Sequence, residues 1–295
     1  MTSVNYSTLS TEQIYAGSRS LDRLSPSQIV HLMNREDRKV LAAIDGAGSR
    51  IARAIGLISD AFRQGGRLFF VGAGTSGRLG VLEAAECPPT FNTKPDQVQA
   101  IMAGGNPAVF RSREGAEDSE PAARAAVLKR VRKGDVVVGV AASGVTPFVR
   151  SALLSAHRRK ARTVLVTCNP HPPRVAEVTI VLRTGPEILT GSTRLKAGTA
   201  CKMVLNMLTT ASLVQVGKVY GNRMVDLQPK SRKLVERGVR LIRELGQVSE
   251  VDARRLFKKA RGHVKTAIVM ARKKMSYREA ERALERAEGF LRKIF

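Results

Sequence analysis

Tryptophan is missing from this 295-residue chain, and aromatic residues of every kind make up only 4% of it. Base-stacking recognition of single-stranded nucleic acid therefore has little to work with, and no RNP-like aromatic run is present. Cysteine is scarce: Cys87, Cys168 and Cys201 are odd in number, far apart and never spaced C-x-x-C. That excludes a disulfide framework, argues against a zinc site and fits a reducing compartment. The four histidines, His31, His157, His171 and His263, form no H-x-x-x-H or H-E-x-x-H pair, so no protein-held metal is expected. No apolar run reaches the roughly 18 residues a membrane helix needs. The N-terminal stretch has neither a basic start nor an apolar segment of the secretory kind, so a cytoplasmic protein without membrane contact is expected.

Acidic residues are few, 25 against 50 Lys and Arg, which leaves a net charge of +25. Residues 230–295 hold 20 Lys and Arg against 8 Asp and Glu, so about half of the surplus lies in the last quarter of the chain. There the cations are interleaved with apolar positions at helical spacing, as in Arg254, Arg255, Lys258, Lys259 and Arg261. This is the pattern of solvated helix faces, and the first 60 residues lack a helix-turn-helix reading head. Nucleic acid is not an expected partner despite the charge.

What is present is a change of period. Ser25-Pro26 is a helix start, a serine cap followed by proline at the first helical position. Apolar residues then recur at three- and four-residue intervals from about Arg38 to Phe62. From Gly66 the pattern becomes short apolar runs, "RLFFVG", "VQAIMAG", "DVVVGVAA", "RTVLVTC" and "VTIVLRTG", starting near residues 67, 98, 135, 162 and 178. Runs that are apolar throughout, separated by helix-length segments, predict a doubly wound α/β fold with a parallel five-stranded sheet. Long helical patterns follow at about Ser192–Gly217 and Lys230–Leu245, with the loop "GNRMVDLQPKS" between them and two or three short helices after. The expected organisation is an N-terminal helical segment, residues 1–60, a sheet domain, 61–245, and a small helical domain, 246–295.

"VGAGTSGRLG", residues 71–80, sets Gly72, Gly74 and Gly77 in the G-x-G-x-x-G spacing of dinucleotide loops. That fingerprint also needs a carboxylate at the end of the second strand, where this chain reads "AIMAGGNP". The third strand ends in another hydroxyl-rich turn, "AASGVTP". In a parallel sheet both turns face the same edge, so Thr75, Ser76, Ser143 and Thr146, with Gly144 for close backbone approach, can surround one phosphate.

These residues carry a resemblance. "GAGTSGRLG" and "AASGVTP" resemble a sugar isomerase (SIS) domain, which binds phosphosugars without a dinucleotide or metal. "GPEILTGSTRLKAGTACK", residues 185–202, is similar to a signature shared by the N-acetylmuramic acid 6-phosphate etherases and the glucokinase regulatory protein. "TEQ", "LDRLS", "NREDRKV", "LEAAECPPTF", "EGAEDS" and "KTAIVM" extend the likeness to the etherases over nearly the whole chain. The resemblance implies a cofactor-free lyase acting on a phosphosugar, a homodimer, and catalytic carboxylates at Glu86 in "AECPP" and Glu117 in "GAED". The alternative it leaves is a phosphosugar-sensing protein without turnover.

Local sequence adds an expectation about these glutamates. A helix beginning near Ser76 is expected to stop at Cys87-Pro88-Pro89, placing Glu86 in its last turn, where the dipole favours a protonated acid. Glu117 precedes Asp118-Ser119-Glu120-Pro121, a helix start, where an anion suits a base. Glu83, three residues before Glu86, is expected on the same face. Ser192 and Lys196 of the signature are candidates either to reach the sugar or to cap and pack a helix. The chain departs from the family at Val145, where arginine is frequent; Arg78, Lys196 or Lys202 would have to supply that charge.

Overall fold

The structure is a computed structural model that describes residues 9–295; the first eight residues of the expected N-terminal segment lie outside it. Helix α1 (Pro26–Asp37) begins as the sequence predicts. The Ser25 hydroxyl accepts the Gln28 N–H at 3.3 Å, while Gln28 Oε1 accepts the Ser25 N–H at 2.8 Å. The stretch expected as one helix to Phe62 is two, α2 (Lys39–Asp45) and α3 (Gly48–Arg63). Gly46-Ala47-Gly48 breaks it, since glycine is a poor helix former and the apolar spacing runs on across the break.

Each of the five apolar runs is a strand: β1 (Leu68–Gly72), β2 (Val98–Met102), β3 (Val136–Val140), β4 (Arg162–Thr167) and β5 (Val178–Val181). All pairs are parallel, in the order β2-β1-β3-β4-β5. Between them run α4 (Gly74–Phe91), α5 (Pro107–Phe110), α6 (Glu120–Arg130) and α7 (Pro147–Arg158). Every residue of β1 and β3 is buried, which is why these runs do not alternate: helices cover both faces. Phe69, Val71, Ile101, Val137 and Leu165 pack with Phe148, Val149 and Leu153 of α7 in one core. At the opposite edge from the turns, buried Asp135 ties the starts of β1 and β3 together. It accepts the Arg67 N–H at 3.0 Å, the Arg67 guanidinium at 2.7 Å and the Arg132 N–H at 2.9 Å.

The remaining helices are α8 (Lys196–Val214), α9 (Arg232–Gly246), α10 (Glu250–Lys259), α11 (Val264–Lys273) and α12 (Tyr277–Arg286). The chain divides into two compact units, one of residues up to Ala84 with Val98–Leu208, the other of Ala85–Gln97 with Thr209–Phe295. In the first unit α3 packs on β3 and β5, and in the second α9 packs on α10 and α11, because each apolar helix face completes the core beside it.

The second unit has its own core, in which Val239, Ile242, Ala253, Val264, Ala267, Ile268 and Leu291 are buried. Lys265 of the "KTAIVM" string lies within it, and its ammonium donates to Gly217 O at 3.0 Å, Asp226 Oδ2 at 3.0 Å and Gly289 O at 3.1 Å. Burial pushes the Lys265 pKa down, and Asp226 offsets part of that push. Among the described residues no helix is long and apolar enough to cross a membrane.

Candidate active site

The turn from β1 into α4 is built by close backbone approach. A Cβ on Gly72 would lie 2.6 Å from Gly77 N, and one on Gly77 would lie 2.7 Å from Gly72 O. Two of the three glycines thus serve to press the helix start onto the strand end. Thr75 and Ser76 then occupy the first turn of α4, where backbone N–H groups have no partner within the helix and the dipole is positive.

The turn after β3 is braced from β4. Thr167 Oγ1 donates to Ala142 O at 3.2 Å, and Asn169 Nδ2 donates to Ser143 O at 2.9 Å. Gly144 is buried with φ of +74°, and a Cβ there would lie 2.8 Å from Thr167 Oγ1, so the brace requires glycine. The Val145 N–H donates to Ser143 Oγ at 3.3 Å. Thr146 caps α7 without a side-chain cap bond, which leaves its hydroxyl available to a ligand. Sequence reading missed Thr167 and Asn169; their only local mark is the turn-forming "CNP" after the fourth apolar run.

Gly72 of β1 is aligned with Val140 of β3, so the two turns adjoin at the point where the strand order reverses. They open on one cavity of about 490 Å³, lined by Thr75, Ser76, Ser143, Thr146 and Glu117. Its charged lining residues, among those described, are Glu12, Glu117 and Asp118, and the lining includes Val145, where the resemblance led to the expectation of an arginine. The candidates for replacing that charge are placed otherwise. Arg78 donates to Val109 O at 2.8 Å and Ala108 O at 2.9 Å, Lys202 is exposed on α8, and neither lines the cavity. Lys196 is 1% exposed, and its ammonium donates to Glu36 Oε2 at 2.8 Å. Gly191 and Thr193 form part of the wall, while Ser192 between them donates its N–H to Leu189 O at 3.0 Å.

Glu117 is exposed on the 3-10 turn Ala116–Asp118, just ahead of α6, whose Ser119 cap accepts the Ala122 N–H at 3.4 Å. The helix start expected there is present. Glu86 is exposed on α4 within the second unit. The expectation that α4 ends at Cys87 is corrected: it runs through Pro88 and Pro89 to Phe91, with the Asn92 N–H donating to Pro88 O at 2.9 Å. Proline's φ is itself helical, so the missing N–H groups cost bonds without forcing a stop. Glu86 is consequently not in the last turn, and the dipole argument for it as acid lapses. Glu83 is buried and accepts from Asn206 Nδ2 at 2.5 Å, unlike exposed Glu86. Cys87 is buried.

A profile of the glucokinase regulatory protein N-terminal SIS domain matches residues 50–157, and a SIS-domain profile matches residues 113–211. An N-acetylmuramic acid 6-phosphate etherase of Geobacillus thermodenitrificans (strain NG80-2) is 50% identical over 288 residues, 97% of this chain and 98% of its own. Another, of Picosynechococcus sp. (strain ATCC 27264 / PCC 7002 / PR-6), is 48% identical over 96% of this chain and 95% of its own. Among solved structures, a phosphoheptose isomerase from Francisella tularensis is 14% identical, with a TM-score of 0.48, covering 65% of this chain and 97% of that one.

Proposed function

The chain belongs to the N-acetylmuramic acid 6-phosphate etherase family, and from that premise we propose that it removes the D-lactyl ether of N-acetylmuramic acid 6-phosphate, giving N-acetylglucosamine 6-phosphate and D-lactate. In the open-chain aldehyde the proton beside the carbonyl is acidified. Glu117 takes that proton, a second carboxyl group protonates the departing lactate oxygen as its carbon–oxygen bond breaks, and water adds to the unsaturated aldehyde. This scheme uses protein side chains and water alone.

The observation that carries this reading is the gathering of Glu117 with four hydroxyl side chains around one cavity. Phosphate is held by Thr75, Ser76, Ser143 and Thr146 and by the helix starts behind them, with Gly144 shaping the second turn. With no Lys or Arg among the described residues of the lining, neutral donors carry that binding. Glu86 is the second carboxyl group on the strength of the "AECPP" string alone. Lys196, engaged by Glu36, and Ser192 act by shaping the Gly191–Thr193 wall. The enzyme works as a cytoplasmic homodimer in the recycling of cell-wall sugars; the resemblance supports this, and three buried cysteines, none in a disulfide, fit a reducing compartment.

Incubation with N-acetylmuramic acid 6-phosphate tests the proposal: D-lactate is the expected product. Saturable binding without release would instead identify a sensing protein. Glu117→Gln is expected to lower release by about 100-fold or more. Glu86→Gln is expected to stop ether cleavage while proton exchange beside the carbonyl persists, and loss of both with binding intact would overturn the division of roles.

A further inference from the structure

The "TEQ" string near the N-terminus has no part in the scheme above, yet the structure puts its glutamate at the site. The segment carrying it is pinned: Leu9 and Thr11 are buried, Ser10 Oγ donates to Cys168 O at 3.3 Å, and the Glu12 N–H donates to Leu9 O at 3.0 Å. Cys168 follows β4 directly, one residue before the Asn169 that braces the second turn. Glu12 is therefore presented by a fixed backbone although its own side chain is exposed. Glu12 lines the cavity together with Gly191 and the hydroxyl residues. Gly191 has φ of +77°, and a Cβ on it would lie 3.0 Å from Glu12 Oε2. The described residues give this carboxylate one contact, the Thr11 hydroxyl at 3.5 Å, at the limit of a hydrogen bond. Its capacity to accept is thus largely unused, and it faces the ligand space.

A carboxylate repels phosphate, so the phosphate belongs at the hydroxyl turns and Glu12 meets another part of the ligand. What a carboxylate takes is a donor, and an open-chain sugar offers several O–H groups and an amide N–H. We propose that Glu12 is a specificity residue of the site: it accepts hydrogen bonds from the uncharged polyol or acetamido part of the phosphosugar, and so distinguishes a sugar phosphate from a bare anion. This rests on the phosphosugar reading above and extends it to a residue outside the phosphate turns and the catalytic pair.

The test compares wild type with Glu12→Gln and Glu12→Ala, using lactate release from N-acetylmuramic acid 6-phosphate, calorimetric binding of N-acetylglucosamine 6-phosphate and competitive inhibition by inorganic phosphate. Glu12→Ala is expected to weaken sugar-phosphate binding and raise KM by about tenfold. The Gln variant is expected to fall between Ala and wild type, with kcat within about twofold, as for binding shared by ground and transition states. Inhibition by inorganic phosphate is expected to be unchanged or stronger in both. An unchanged KM and unchanged sugar-phosphate affinity would overturn the inference. So would an equal weakening for sugar phosphate and inorganic phosphate, or a lowered melting temperature with kcat lost, since either marks a structural role. If wild type binds the sugar phosphate but releases no lactate, the etherase reading fails while the binding comparison still decides on Glu12. Failure of wild type to bind any sugar phosphate ends both.

Discussion

Lys196 sits in the middle of the string most diagnostic of the family, yet its ammonium is spent on Glu36, 160 residues away in sequence. Both side chains are about 2% exposed. Burial by itself would raise the Glu36 pKa, but hydrogen bonds from Lys196, Lys39 and Tyr15 win and hold it at about 2, below the ordinary 4.5. The stabilisation this provides is complete above about pH 4.5, declines as Glu36 protonates and is gone below about pH 2. Lys196→Met, which leaves the buried carboxylate with Lys39 and Tyr15 as its remaining partners, is expected to cost about 1–3 kcal/mol in urea unfolding at pH 7. It is also expected to flatten the loss of stability that the lowered Glu36 pKa predicts for wild type between about pH 4.5 and 2. At the cavity itself Val145→Arg adds a cation to the lining. It is expected to tighten inorganic phosphate about tenfold at low salt and less at 0.5 M, read as a competitive inhibition constant.

Among the elements, the start of α4 is the most tightly specified. Gly77→Ala sets a methyl 2.7 Å from Gly72 O, and the backbone on both sides has no slack. About 1–3 kcal/mol of stability is expected to be lost by urea unfolding, with weaker sugar-phosphate binding as the loop shifts. Elements marked by their own residues were legible without the fold: the Ser25 cap, the five apolar runs and the Ser119 start all stand where local chemistry puts them. Elements that depend on balance were not. Pro88-Pro89 reads as a stop because each proline removes a bond, but whether a helix survives that loss is decided by what it packs on. The apolar spacing from Arg38 to Phe62 likewise carries no mark of the division that Gly46-Ala47-Gly48 makes between α2 and α3.

The molecule as a whole carries its +25 charge with a paired network on part of the second unit. Arg254 binds both Glu236 at 2.7 Å and Glu250 at 2.9 Å, and Arg255 binds Asp252 at 2.7 Å. Exposed pairs of this kind contribute little and are screened by salt. With twice as many cations as anions, self-repulsion outweighs them. The melting temperature is expected to rise as NaCl goes from 0.05 to 0.5 M, measured by differential scanning fluorimetry; a fall would mean that the ion pairs dominate.

Sequence alone determined the strands, the helix starts and the two hydroxyl turns, because a short apolar run, a period of 3.6, a cap or a glycine acts within a few residues of itself. Only the tertiary structure decided which chemistry shares a space. The parallel order β2-β1-β3 sets Gly72 beside Val140 and so merges two turns into one cavity. The bond from Ser10 to the end of β4 brings Glu12 to that cavity, and the Glu36 partnership takes Lys196 out of use. These are contacts between residues distant in the chain. No local pattern encodes them, since what selects each is the burial and electrostatic energy of the assembled fold.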